Sequence, residues 1–345
     1  MKNISRESQF TNSFTILFTF FLNRGACFTF LIVPAMFFSC INIEANADCK
    51  PENQVHPLVK SQIKTSNKVE ILDAFVFDQS GKLDCYQRFE APDQSCEIAS
   101  GSGGKHILLV ANSNYKRNEW IIVRNLMTMA DIYVGLEDER HDSPVMTSLF
   151  QITAGEQTNI DLLPIRSEIR INSLRCDFSD EAYHNERLTD IKIYLTNVNA
   201  NCSILPDEDS QSSRFINIGM LDIGHLNKFA EHDMITQNLD IEIGNNITHI
   251  HRSLFCYANR PIEESIGSPV TKLVIEGKIG GNTYYYPIKI NPRGGGVARG
   301  CRYIFDIVLT RAGITDPDGE LNEEDIDIIM EVEEWKEKDG YAVSF

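Results

Sequence analysis

The sequence lacks the motifs by which common catalytic and metal sites are recognised. It has no Cys-x-x-Cys pair, no zinc-type spacing of cysteine and histidine, no Gly-x-Ser-x-Gly elbow and no His-Glu-x-x-His motif. Tryptophan is scarce as well, at 2 residues in 345. We therefore predict a protein that is not an enzyme, and we assign it no catalytic residue, no cofactor and no metal.

Positive charge is also in short supply. The chain carries 32 lysines and arginines against 49 aspartates and glutamates, which gives a formal net charge of -17. Residues 1–39 hold more bases than acids, so the remainder is more acidic still. Binding to phosphates needs a basic surface, and this balance argues against nucleic acid as a partner. It suits a solvated, self-repelling exterior.

The chain contains no apolar run of the ~20 residues that a permanent membrane-spanning helix needs. The shorter run Ala26–Phe38 follows Arg24, which is typical of the core of a secretory signal peptide. It ends at Ser39, directly before Cys40, and a small residue at this place resembles the lipobox of bacterial lipoproteins. We predict a signal peptide over residues 1–39 and a lipid on Cys40 that anchors the protein in the outer membrane. An ordinary signal peptide with an incidental cysteine is the alternative.

Beyond the predicted lipid site the sequence indicates a tether and then two β-rich domains. Residues 40–66 are polar and interrupted by prolines, which is typical of a linker. Many short strand-like runs with turn signals between them follow, and they favour β-sandwiches over a parallel α/β sheet. We predict an N-terminal sandwich over residues 67–165 and a C-terminal sandwich over residues 166–345. One helix is predicted at Trp120–Met129, where apolar residues recur with roughly helical spacing.

Of the 9 cysteines, all but Cys27 and Cys40 lie in the body of the chain. An exported protein is exposed to oxidising conditions, and an odd number of body cysteines leaves at least one free or paired between chains. Cys85 and Cys96 flank a predicted hairpin and are our first candidate pair. Buried free thiols are the alternative.

Four short patterns suggest chemistry but are better explained as ordinary structure. His249 and His251 lie on one face of a strand, without a third metal ligand, and we interpret them as an exposed strand edge. The run Gly101–Lys105 lacks the spacing of a phosphate loop and predicts a turn. Asp316–Gly319 lacks the register of a calcium loop and predicts a β-turn. The acidic runs, of which Glu323–Asp325 is one, predict a solvated face.

The order of segments along the body is similar to that of a known family. The chain resembles the Bacteroidales fimbrillin superfamily, and within it the lipidated anchor subunits of major and minor fimbriae. The segments that carry the resemblance are Cys40–Cys49, Val69–Lys82, Gly104–Asn112, Leu163–Ile171, Phe255–Asn259, Tyr284–Ile290 and Arg302–Phe345.

This resemblance implies two transthyretin-like β-sandwiches in tandem and a role in cell adhesion. Stalk subunits of the family polymerise by strand exchange, in which an arginine-specific protease removes an N-terminal strand and a neighbour's strand fills the groove. Backbone hydrogen bonds then supply affinity, and alternate side chains set the register. The implied partners are fimbrial stalk subunits, and the implied location is the cell surface.

No arginine lies between Cys40 and Arg88, so the arginine-dependent step has no site ahead of the predicted first core strand. The resemblance then implies an anchor subunit that keeps both its lipid and its first strand. Its working edges would be Val69–Phe77 and Tyr341–Phe345.

Three other functions stay open at this point, of which a surface hydrolase is one. Lys60, Lys64 and Lys68 could admit a lysine-directed protease, which would make the chain a stalk or tip fimbrillin. A surface lipoprotein that binds glycans through its loops is the alternative from a different class.

Overall fold

The computed structural model describes eleven segments of the chain, which are residues 58–64, 67–92, 95–99, 103–153, 157–178, 183–205, 215–216, 233–265, 268–322, 325–334 and 341–344. The predicted signal peptide and Cys40 lie outside them. None of the helices in these segments has the length and apolar character needed to cross a bilayer.

Residues 58–164 form a five-stranded sheet and a three-stranded sheet. The strands of this part of the chain are β1 (Leu58–Lys64), β2 (Ile71–Phe77), β3 (Leu83–Glu90), β4 (Ser95–Ala99), β5 (Gly104–Ala111), β6 (Tyr133–Gly135), β7 (Met146–Thr153), β8 (Gln157–Asp161) and β9 (Leu163–Pro164). Strand β6 belongs to neither of these sheets, because it pairs with a later strand, Asn201–Ser203. The larger sheet has the order β3-β2-β5-β7-β9, and the smaller has the order β4-β1-β8.

The apolar sequence of strand β2 explains why this strand is covered by other elements on both faces. Its residues from Leu72 to Phe77 are all buried, so the strand is covered on both faces. Leu72 and Val76 belong to an apolar cluster that also contains Ile98 of β4 and Ile160 of β8. Phe75, on the opposite face, packs edge-on against Trp120 at 5.0 Å between ring centroids. A strand buried on both sides reads as a nearly continuous apolar run, as this one does.

Residues 167–344 form a second pair of larger sheets, with the orders β16-β10-β19-β20-β21 and β15-β11-β17-β18. The strands of this part are β10 (Ser167–Cys176), β11 (Thr189–Thr196), β12 (Val198–Asn199), β13 (Asn201–Ser203), β14 (Phe215–Ile216), β15 (Thr236–Leu239), β16 (Thr248–Cys256), β17 (Lys272–Ile279), β18 (Asn282–Lys289), β19 (Cys301–Leu309), β20 (Ile326–Glu334) and β21 (Tyr341–Ser344). Outside the two larger sheets, β12 pairs with β14, and β13 pairs with β6.

Strand β19 shows why these residues form a layered sheet. Its buried and partly exposed residues alternate without a break from Cys301 to Leu309, which is the period-2 pattern of a strand with one face on a core. Its inward side chains join a large apolar cluster that also includes Trp120 and Phe75. Because this cluster runs through both halves of the body, the domain boundary proposed at residues 165 and 166 stays a prediction.

The predicted helix at Trp120–Met129 is wrong. The segment forms two 3₁₀ helices, Glu119–Ile122 and Leu126–Met129, with Val123 extended after the first. The backbone between them bonds the β2–β3 turn instead of continuing a helix, because Leu83 donates to the carbonyl of Arg124 at 2.9 Å. Two further 3₁₀ helices occupy Leu136–Asp138 and Pro292–Gly294.

The predicted tether also needs correction at its end. Residues 58–64, assigned to the linker, are β1, the middle strand of the smaller sheet. Their sequence, LVKSQIK, is too polar for a strand to be predicted from it. These residues form a strand because they pair with a neighbouring strand on each edge. Any tether is therefore confined to the residues before Leu58.

Four cysteines of the described residues are buried free thiols: Cys176, Cys202, Cys256 and Cys301. Burial raises the pKa of Cys256 to about 12, which keeps this thiol protonated and unreactive. Cys85 is disulfide-bonded. That its partner is Cys96 stays a prediction.

Candidate assembly interface

The sequence assigned one site residue, Cys40, and it lies outside the described residues. The described part of the chain carries no cluster of three or more potential metal ligands. The candidate site is therefore built from strand edges, which present unpaired backbone groups to other chains.

The N-terminal strand β1 is held on both sides. It pairs antiparallel with β4, where Leu58 lies opposite Ala99. It pairs parallel with β8, where Lys64 lies opposite Asp161. Removing β1 would therefore leave a slot between β4 and β8, two strands that contribute Ile98 and Ile160 to one apolar cluster.

The edge role predicted for Val69–Phe77 is wrong. These residues form β2, which is flanked by β3 on one side and by β5 on the other. With both rows of backbone groups paired, β2 can neither donate nor accept a further strand. The sequence resembled a first strand because the more polar β1 gave no hydrophobic signal.

The edge position predicted for the chain's last strand matches the sheet order. Strand β21 is the terminal strand of its sheet and pairs antiparallel with β20, where Val332 lies opposite Tyr341. Beside it, the inner face of β20 opens into a cleft of about 580 Å³. The apolar floor of that cleft is formed by Ile288, Phe305, Ile328 and Met330.

The basic residues that could admit a protease differ in accessibility. Lys60 and Lys64 lie within β1, where the backbone is paired on both edges. Lys68 lies in the connection to β2, and its side chain is 68% exposed. Arg88, the first arginine after Cys40, lies on β3 and forms an ion pair with the buried Asp73 at 3.2 Å.

A buried arginine joins the two halves of the body, and only its place before β10 could have pointed to it in the sequence. Arg166 is 1% exposed. It donates to the carbonyls of Arg140 at 2.7 Å and His141 at 2.9 Å. Its guanidinium lies 4.0 Å from the ring centroid of Phe255 on β16. We call Arg166, Glu139 and Tyr257 the junction cluster.

Glu139 completes the junction cluster. Its carboxylate lies 3.4 Å from Nη1 of Arg166 and accepts from the backbone of Val145 and the hydroxyl of Tyr257. Burial raises the pKa of Glu139 to about 7, although the Arg166 charge opposes the rise. Burial also lowers the pKa of Arg166, while the Glu139 charge opposes that change. Residues 139–145 contribute some of these contacts, and Phe255 and Tyr257 in the second half contribute the others, so the cluster fixes one half against the other.

The short patterns set aside in the sequence fall into ordinary structure. His249 and His251 are exposed on the edge strand β16, with rings 5.6 Å apart. Gly104 opens β5, and Lys105 pairs with Asp84 at 2.8 Å. In the 316–319 turn, Gly319 donates to the carbonyl of Asp316. Asp325 departs from the predicted solvated face, because it is 7% exposed and accepts from the backbone of Asn322.

Comparisons with known proteins give matches in structure alone. No family model matches the chain, and no curated protein matches it. A protein assigned to cell adhesion from Bacteroides eggerthii superposes with a TM-score of 0.65 at 13% identity, over 81% of this chain and 96% of that one. A fimbrilin of Porphyromonas gingivalis gives 0.59 at 13% identity, over 81% and 97%. A tip fimbrial protein of the same organism, truncated at its C-terminus, gives 0.51 at 15% identity, over 81% and 100%.

The chain has a mostly-β, multi-sheet fold. It shares this fold with the fimbrilin and the tip fimbrial protein of Porphyromonas gingivalis and with the Bacteroides eggerthii protein, as the sequence resemblance to fimbrillins implied. The predicted mostly-β fold is thereby confirmed.

Proposed function

We propose that this protein is a fimbrial subunit of the anchor type, attached to the outer membrane through a lipid on Cys40 and joined to stalk subunits through strand edges. The observation that carries the proposal is the position of β1. It is the middle strand of its sheet, and no arginine precedes it after Cys40. A subunit that keeps β1 keeps the chain that leads to its lipid, which suits the base of a fibre.

The C-terminal strand of the described residues supports pairing with a partner. Strand β21 lies at a sheet edge beside the apolar cleft under β20. A strand that pairs with an open edge gains backbone hydrogen bonds, while its alternate side chains can fill an adjacent apolar cleft. We infer that the stalk subunit binds here.

Lys68 favours a second candidate, a stalk or tip fimbrillin. It is exposed in the connection after β1, so a lysine-directed cut there would release the body from its N-terminal segment and vacate the slot between β4 and β8.

The mass and N-terminal sequence of the protein recovered from the cell surface separate the two candidates. The anchor proposal expects a mature chain that begins at a lipid-modified Cys40. A mature chain that begins at Val69 would refute it and support the released subunit. A chain that begins near residue 40 without a lipid would refute the membrane attachment alone. Cys40→Ser should release the protein from membranes, with Cys49→Ser as the matched control.

A further inference from the structure

Three exposed apolar side chains of the N-terminal half belong to one short segment of the described residues. Met127 is 75% exposed, Ile122 is 60% exposed and Ile121 is 38% exposed. They project from the two 3₁₀ helices that replace the predicted helix. Isolated exposed apolar residues are ordinary, whereas a group that projects from one short segment marks a contact surface.

This segment is rigidly held from below. Trp120, Val123 and Met129 are each at most 3% exposed and anchor it in the core. Its backbone is tied to the β2–β3 turn, because Leu126 donates to the carbonyl of Gly81 at 2.7 Å. The exposed side chains are therefore presented by a fixed framework.

The surroundings are basic in a chain that is otherwise acidic. Lys116, Arg117 and Arg124 are exposed in the same segment, against the acids Glu119 within it and Asp131 directly after it. Lys82 is exposed on the adjoining turn, and its backbone forms an isolated β-bridge with the residue before the second 3₁₀ helix. We call the three apolar side chains and these four cations the basic-apolar patch. The nearby Asp84 is already paired with a lysine at 2.8 Å.

The path of the chain places this patch at a particular end of the body. Strand β1 begins at Leu58, opposite Ala99 at the end of β4. A short connection leads from there to Gly104, the start of β5, which lies beside Gln79 of the β2–β3 turn. The chain from Cys40 therefore enters the body at the end where this turn binds the patch segment. The intervening residues, about 17 in number, span at most ~60 Å even when fully extended.

We propose that the basic-apolar patch contacts the anionic headgroup surface of a phospholipid bilayer, with Ile122 and Met127 inserted among the headgroups. Apolar side chains ringed by lysine and arginine are what such an interface binds, through buried apolar area and attraction to anionic lipid. The repulsion from the acidic body is limited, because the Debye length is ~8 Å at physiological ionic strength. The role in orienting the subunit rests on the proposed lipid anchor, whereas the contact itself does not.

Vesicle binding by a protein without lipid tests the contact directly. The protein is residues 40–345 with Cys40→Ser, which contains every strand and both apolar clusters described above. It should co-sediment with vesicles of phosphatidylcholine and phosphatidylglycerol, more weakly at high salt, and much less with phosphatidylcholine alone. I122E/M127E should lower the partition coefficient by about tenfold or more, because it removes two insertable side chains.

The matched control is I247E/I262E, which makes the same change of charge at isoleucines that are 62% and 106% exposed in the second half of the body. It should bind as the parent protein does. An equal loss in both variants, equal binding to the two kinds of vesicle, or no binding by the parent protein would overturn the proposal. Urea unfolding of each variant confirms that the fold is intact. The lipidation measurement on Cys40 is independent, so failure of one proposal is distinguishable from failure of the other.

Discussion

The junction cluster permits a sharp prediction about charge in the core. Glu139 is fully buried beside Arg166, and its carboxylate has three polar contacts. The change that isolates its ionisation is Glu139→Gln. The amide has the shape of the protonated acid and keeps an oxygen to accept from Val145, but it carries no charge.

The magnitude follows from the pKa of Glu139, which burial raises to about 7 from its usual 4.5. The folded protein keeps a proton that the unfolded chain has lost, so stability falls as the pH rises from about 4.5 to about 7 and is level above that. Between pH 5 and pH 8 this group alone should reduce the free energy of unfolding by about 2 to 3 kcal/mol. The Gln variant lacks that decline. It should be close to the wild type at pH 5 and gain about 2 to 3 kcal/mol relative to it at pH 8.

Urea unfolding followed by tryptophan fluorescence at the two pH values, without reductant, measures this difference. Burial also raises the pKa of Asp73, to about 6, but that contribution is common to both proteins and cancels in the comparison. Glu331→Gln, on an exposed position of β20, should track the wild type at both pH values. If Glu139→Gln instead lost about 3 to 5 kcal/mol at pH 8, the ionised pair would be stabilising and the reasoning would be refuted.

Three other outcomes follow from the structure. Arg166→Met should lower the free energy of unfolding by about 3 to 5 kcal/mol, since it leaves a buried carboxyl and two carbonyls without their donor. Arg187 is exposed, so Arg187→Met should change the free energy of unfolding by less than about 1 kcal/mol. Limited digestion of the native protein with a lysine-specific protease should cut after Lys68 earlier than after Lys60 or Lys64, and Lys68→Gln should abolish that cut; an earlier cut inside β1 would contradict the pairing described. Deletion of Gly340–Phe345 should impair folding or partner binding, which thermal unfolding and pull-down with a stalk subunit would reveal; normal behaviour in both would exclude a role for β21.

The mostly-β class could be predicted from sequence because strands such as β19 repeat the period-2 pattern without interruption. The layer position of β2 was also readable, since a continuous apolar run needs cover on both faces. Strand β1 could not be predicted from the sequence. Its polar residues carry no burial pattern, and pairing with β8, far along the chain, makes it a strand. The same limit explains the 120–129 segment, where bonds to the β2–β3 turn override helical spacing.

One part of the candidate site, the edge position of the last strand, could be predicted from the sequence, whereas the junction cluster could not. The terminal strand at Tyr341 has the expected edge position, because a last strand is easily placed there. The junction cluster could not be foreseen, since nothing in the sequence pairs Glu139 with Arg166. Only a single arginine among apolar residues, just before β10, hinted that a cation would be buried and would need a partner.

The position of β1 has a consequence for the order in which the chain takes shape. Strand β1 is synthesised before its partner β8, which follows about a hundred residues later. Closing so long a loop costs conformational entropy before the contacts between the two strands can offset it, and this slows their pairing. The smaller sheet can therefore be completed only after residue 161 is free to fold. Until then β1 lacks one of its two partner strands, and the sheet that it centres is incomplete.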